Sequence, residues 1–205
     1  MGDIMSYNGG AVLAMTGKNC VAIASDLRFG VQAQTIGMNF SKIVPINDTV
    51  FAGFSGLATD IQTLAELLTF QCNVYRLREE RDIQPKTFAH LLSSVLYEKR
   101  FGPYFSEPIV AGLSNDGRPY VCTMDLLGTI TETKDFVAAG TCTEALMGTS
   151  ESLYRPDLEA DELVDVISQC FVAALNRDAV SGWGAVVKII TAAGVRTVDI
   201  KMRMD

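Results

Sequence analysis

The apolar positions of this chain change period several times, and each change marks a new element. Ala11 to Met15 and Cys20 to Ser25 are nearly continuous apolar runs joined by Gly17-Lys18-Asn19, the pattern of neighbouring hairpin strands buried on both faces. Ile43 to Ile46 and Thr49 to Phe54 form a second short pair around an Asn47-Asp48 turn. The period then lengthens to about 3.6 residues. Leu57, Ile61, Leu64, Ala65, Leu68, Cys72 and Tyr75 share one face of a helix that reaches about Arg78. A second helix opens at Pro85 and carries Phe88, Leu91, Leu92, Val95, Leu96 and Lys99 on one side.

The second half repeats this order. Pro108 to Leu113, Tyr120 to Met124 and Asp135 to Ala139 read as strands, the first two joined through Asn115-Asp116-Gly117. Helices are expected from Thr143 to Tyr154 and from Asp161 to about Ala179, then strands from Gly184 to Ile190 and Arg196 to Lys201 around Ala192-Ala193-Gly194. Hairpin blocks separated by paired helices predict an α+β fold: two antiparallel sheets face to face, with helix pairs outside. No repeat or linker interrupts residues 1–205, so they read as one domain.

Composition narrows the function classes. With 48% apolar and 20% charged residues, the chain can bury enough surface to offset its ordering entropy, which excludes extensive disorder. Seventeen basic against 24 acidic residues give a net charge of −7 and no basic run, which argues against a nucleic-acid partner. No apolar stretch nears the roughly 18 residues of a membrane span, and MGDIMSYNGG lacks the basic start of a signal peptide. Met1-Gly2-x-x-x-Ser6 fits a myristoylation pattern, but no basic second anchor follows, so lipidation is not expected. Five scattered cysteines and a single histidine, His90, support neither a disulfide framework nor a zinc site. The high apolar content raises the expectation of surface covered by partners.

Six segments, in order along the chain, carry a resemblance. They are Ser6-Tyr7-Asn8-Gly9-Gly10, Val21 to Arg28, Ser41-Lys42-Ile43, Gly53 to Asp60, Tyr97 to Pro103, and Arg177 to Gly182. The set resembles the beta-type subunits of the 20S proteasome, members of the N-terminal nucleophile hydrolase superfamily. The resemblance implies a four-layer alpha-beta-beta-alpha sandwich, in agreement with the blocks above.

Active members of that family use a threonine at the mature amino terminus, whose free α-amino group serves as base. The resemblance places Asp26 at the family's buried aspartate and Lys42 at its active-site lysine. Gly56 falls at the oxyanion glycine, Asp178 and Ser181 at the carboxylate and serine pair, and Thr141 at a position usually held by serine. The nucleophile position, sixteen before Asp26, is Gly10. Glycine has no hydroxyl, so the expectation is a non-catalytic structural subunit that keeps residues 1–9 as a short unprocessed extension. The alternative is an active threonine or cysteine hydrolase after processing at Thr16 or Cys20.

The implied partners are other beta subunits in a hetero-heptameric ring, the opposite beta ring and the alpha rings. Protein substrates would be met only indirectly, in ATP- and ubiquitin-dependent degradation, in the cytoplasm and nucleus. No cofactor is required. The family's cation site would fall on the carbonyls of Leu175, Asp178 and Ser181, suiting a structural magnesium ion, with a chain end such as Asp205 as a further ligand. Each of these residues also has an ordinary reading. Asp26 with Arg28 could be a local ion pair, and Asp178 and Ser181 could simply end a helix. Lys42 beside Asp26 would be a buried ion pair that fixes geometry. Tyr97 to Phe101 reads equally as a helix end with basic residues against the dipole and as a subunit contact.

Overall fold

A computed structural model describes residues 3–204. The continuous apolar runs are strands with two covered faces. In β1 (Ala11–Gly17), Ala11, Leu13 and Met15 point to one hydrophobic cluster, while Val12 and Ala14 point to another. β2 (Cys20–Asp26) divides in the same way, with Cys20, Ala22 and Ala24 on one side and Val21 and Ile23 on the other. Alternation along a strand sends successive side chains to opposite faces, so a strand apolar throughout needs a layer on each side.

Two five-stranded antiparallel sheets provide the inner layers. The first has the order β10-β1-β2-β11-β12, where β10 is Phe136–Gly140, β11 is Ala185–Thr191 and β12 is Gly194–Ile200. The second has the order β5-β6-β7-β8-β9, running through Ile43–Pro45, Val50–Gly56, Ser106–Leu113, Pro119–Met124 and Ile130–Thr133. Val12, Ile23, Phe51, Ile109, Val121 and Val187's neighbour Val186 belong to the cluster between them. Helices α1 (Ala58–Glu79) and α2 (Pro85–Glu98) cover the second sheet through Leu64, Leu68, Phe88 and Leu92. Helices α3 (Thr143–Leu153) and α4 (Ala160–Leu175) cover the first through Leu146, Leu163, Ile167 and Phe171. Each fully buried Leu or Phe contributes about 1.5–3 kcal/mol relative to exposure. The result is the expected four-layer α+β sandwich.

Local departures have physical causes. A small hairpin, β3 (Phe29–Val31) with β4 (Gln34–Gly37), and the edge strand β9 lack a clear apolar alternation and were not expected. α4 ends at Leu175 rather than near Ala179, because Asp178 turns its carboxylate onto Thr141 and Ser181 instead of continuing the helix. The last hairpin turns tightly at Ala192-Ala193, with Thr191 opposite Gly194, so β12 starts two residues early.

Register brings the functional positions to one end of the sandwich. Ala11 pairs with Gly140, and Asp26 with Ala185, so the start of β1 meets the ends of β2 and β10. Lys42 just precedes β5, and Gly56 ends β6.

Candidate functional site

Asp26 and Lys42 form the centre. Both are buried, and Lys42 Nζ lies 2.8 Å from Asp26 Oδ1. The ammonium also donates to the carbonyls of Arg28 at 2.8 Å and Asp26 at 3.3 Å, which engages its three donors. Asp26 accepts further bonds from the Ala11 N–H at 3.0 Å and the Gly182 N–H at 3.2 Å. One carboxylate thus joins β1, the residue before β5 and the loop after α4. Arg28 does not pair with Asp26, which corrects the expected local ion pair. The nearer cation, Lys42, takes the carboxylate, and Arg28 turns toward carbonyls.

A second carboxylate organises the opposite wall. Asp178 Oδ2 accepts from the hydroxyls of Thr141 and Ser181, each at 2.5 Å, and Oδ1 from the Val180 N–H at 3.2 Å. The Thr141 N–H donates to the Gly10 carbonyl at 2.9 Å, tying this group to the start of β1. Cys142 Sγ lies 4.0 Å from Ser181 Oγ. Burial, aided by the Asp178 charge, pushes its thiol up to about 12, so the group is neutral at physiological pH.

Gly10 sits between the two walls. A Cβ there would stand 2.6 Å from Lys42 Cε and 3.5 Å from Asp26 Oδ1, and the backbone has φ +141°. The Lys42 stem therefore occupies the space that a side chain at position 10 would need. Nor is the Gly10 nitrogen an amine here, since the chain continues back through Gly9 and Asn8. Asn8 is buried and fastened at three points: its Nδ2 donates to the Gly30 carbonyl, its Oδ1 accepts from the Ala58 N–H, and its carbonyl accepts from Arg28. The Gln32 N–H donates to the Tyr7 carbonyl at 2.7 Å.

Arg28 was not singled out by sequence as a site residue, and it holds these pieces together. It is 1% exposed, and its guanidinium donates to Thr35 Oγ1, the Gln32 and Val180 carbonyls and, more weakly, the Asn8 carbonyl. The available signal was the Asp-x-Arg spacing at the end of β2, where a strand residue two positions on returns to the same face.

Beside this centre lies a cleft of about 690 Å³, walled by Met5 and Tyr7 of the extension and by Gly56, Glu107, Thr141 and Asp178. Gly56 has φ +113°, and a Cβ there would lie 2.3 Å from the Phe105 carbonyl oxygen. Burial, with the charges of Asp3 and Asp125 nearby, raises the Glu107 carboxyl above its usual range.

The two alternative nucleophiles lie elsewhere. Thr16 is 4% exposed, and its hydroxyl is bound to the Lys134 carbonyl at 2.7 Å with Tyr154 Oη at 3.1 Å. Cys20 is 1% exposed, and burial pushes its thiol up to about 11. Neither lines the cleft.

Leu175, Asp178 and Ser181 border a separate cavity of about 30 Å³, together with Met202 and Arg203. The Leu175 carbonyl accepts from the Asp178 N–H at 3.1 Å and keeps one lone pair. A hard cation there would have to draw on main-chain carbonyl oxygens, since no cluster of His, Cys, Asp or Glu able to hold a metal is found among the described residues. Met1, Gly2 and Asp205, relevant to lipidation and to a further cation ligand, lie outside the described residues.

Paired helix layers around two antiparallel sheets, with a buried aspartate at the end of β2 paired to a lysine before β5 and bonded to the start of β1, define a sandwich of the N-terminal nucleophile hydrolase class. A family model described as proteasome subunit matches residues 6–190. Over 203 residues, 99% of this chain and 100% of the relative, the chain is 57% identical to a probable proteasome subunit beta type-3 of Schizosaccharomyces pombe. It is 54% identical to proteasome subunit beta type-3-A of Arabidopsis thaliana over the same shares. Against proteasome subunit beta type-3 of Drosophila melanogaster the identity is 52% over 204 residues, again 99% of this chain and 100% of the relative. The chain belongs to the proteasome subunit family, and its resemblance is to the beta type-3 members.

Proposed function

We propose that this chain is a non-catalytic, structural beta subunit of the 20S proteasome core. The observation that carries this is Gly10: the position where active members hold their nucleophile has no side chain, and the space for one is filled by Lys42 Cε. The extension supports the same reading, since Asn8 and Arg28 hold it in place. The remaining constellation then serves as a buried scaffold that orders β1, β5 and the loop after α4.

Ring assembly accounts for the apolar surplus. Phe70 is 65% exposed and Leu77 80%, both on α1, a cost that neighbouring subunits remove by covering them. The partners on this reading are other beta subunits in a seven-membered ring, the opposite beta ring and the alpha rings, in the cytoplasm and nucleus. The role is to hold neighbours in register and shape the chamber in which ubiquitin-tagged proteins are cut by other subunits. No cofactor is needed for this, although the Leu175, Asp178 and Ser181 carbonyls suit a structural magnesium ion that would stiffen the loop after α4.

The test is to treat the purified particle with an epoxyketone threonine probe and measure the intact mass of each chain. This chain is expected to stay unlabelled and to retain residues 3–9. Labelling, or a new terminus at Thr16 or Cys20, would overturn the proposal in favour of an active hydrolase.

A further inference from the structure

At the end of α2 the chain presents a cation beside two aromatic rings. The Arg100 guanidinium lies 5.5 Å from the Tyr97 ring centroid and 5.3 Å from that of Phe101, within cation–π range of both. Its Nη1 donates to Tyr97 Oη at 3.1 Å. All three side chains face solvent, and Phe101 is 95% exposed, the highest value among the large apolar residues described.

The group is held in shape by its backbone. The Arg100 N–H donates to the Tyr97 carbonyl and the Gly102 N–H to the Lys99 carbonyl. Further on, the Phe105 N–H donates to Asp60 Oδ2 at 2.8 Å, and the Phe105 carbonyl accepts from the Leu57 N–H at 2.8 Å. The loop is therefore clamped to the start of α1. Glu98 lies two positions before it in sequence, yet Arg100 makes no ion pair among the described residues. The rings hold the guanidinium, and four of its five donors are left for another group.

We propose that Tyr97, Arg100 and Phe101 form a docking clamp for a carboxylate side chain carried by a segment of a neighbouring protein subunit. Charge complementarity selects the occupant. Lys99 and Arg100 make this end of α2 locally basic on a chain whose net charge is −7, and a guanidinium fork matches a carboxylate in bidentate geometry. The rings remove water from around the pair and supply the apolar contact, the combination of Tyr, Arg and aromatic area found where interfaces concentrate their binding energy. This inference rests on the assembly reading above and specifies one contact within it.

The test places a photo-crosslinking benzoyl-phenylalanine at position 101 of the full-length chain, expressed in cells with its partner subunits. After irradiation, the particle is purified and the crosslinked peptide identified by mass spectrometry. The expected result is a dominant crosslink to another subunit, at a segment with Asp or Glu within a few residues of the joined site. Arg100→Glu should cut that yield by about tenfold or more, as the loss of one charge-assisted pair implies, whereas Arg100→Lys should keep most of it. Crosslinks confined to this chain, a segment lacking carboxylates, or a yield unchanged by Arg100→Glu would overturn the clamp alone. A chain that never co-purifies with other subunits would overturn the clamp and the assembly reading together.

Discussion

Lys42 Nζ stands 2.8 Å from Asp26 Oδ1 with both side chains almost wholly out of water, and this pair is the tie between the start of β1 and the entry to β5. Removing one partner strands the other charge in the interior. Lys42→Met and Asp26→Asn are each expected to destabilise the chain by about 3–5 kcal/mol. The double variant should not recover full stability, because Asp26 also serves the Ala11 and Gly182 N–H groups. Denaturant midpoints for the two single variants and the double variant check this.

A hydroxyl added at position 10 is not expected to act as a nucleophile. Gly10→Thr places a Cβ within 2.6 Å of a Lys42 stem fixed by its hydrogen bonds, at φ +141°. The variant should lose about 1–3 kcal/mol from overpacking. It should also stay unlabelled by threonine-directed probes, since its nitrogen is still a peptide amide. Probe labelling of that variant with residues 3–9 attached would contradict this account of the site.

Arg28 joins the extension, the β3–β4 hairpin and the Val180 segment without a carboxylate partner among the described residues. Arg28→Met leaves the buried Asn8 carbonyl and the part-buried Gln32 and Val180 carbonyls without their donor, at a cost of about 1–3 kcal/mol for each one that water cannot reach. Hydrogen exchange at the Gln32 amide, now bonded to the Tyr7 carbonyl, should quicken. Limited proteolysis should move to residues 3–9. Unchanged exchange at Gln32 would show that the extension is held by other contacts.

The thiols give a pH dependence of definite sign. Burial raises Cys20, Cys72 and Cys122 to about 11 and Cys142 to about 12, from an ordinary value of 9.0. A raised folded-state value means that the native chain holds its protons more tightly than the unfolded one. The associated stability is therefore complete below about pH 9 and falls as pH rises through 11 to 12. Thermal unfolding followed from pH 8 to pH 11 should show the decline. Iodoacetamide at pH 8 should modify the native chain far more slowly than the denatured one.

The sequence and the structure agree where a single rule governs a position. Val12 and Leu13 are adjacent apolar residues in β1, which already demanded a layer on each face, and those layers are the second sheet and α4. The helical period of Leu64, Leu68 and Cys72 placed α1 to within a residue at each end. What escaped depends on contacts distant in sequence. β3 and β4 are short and half-exposed, and their place is fixed by Arg28 bonding to Gln32 and Thr35. α4 stops short of the expected end near Ala179 because Asp178 is drawn to Thr141, 37 positions away. At the site, the resemblance supplied Asp26, Lys42, Thr141, Asp178 and Ser181. It could not supply the three anchors of Asn8, since an asparagine before two glycines looks like any turn.

The bonds at Phe105 also join two regions that the chain order keeps apart. Gly56, at the lip of the cleft, lies so near the Phe105 carbonyl that a methyl group could not fit between them, and that carbonyl also receives the next N–H, from Leu57. Phe101 is four residues away. The exposed ring and the rim of the cleft are thus only a short stretch of backbone apart, so whatever covers the one sits close to the other.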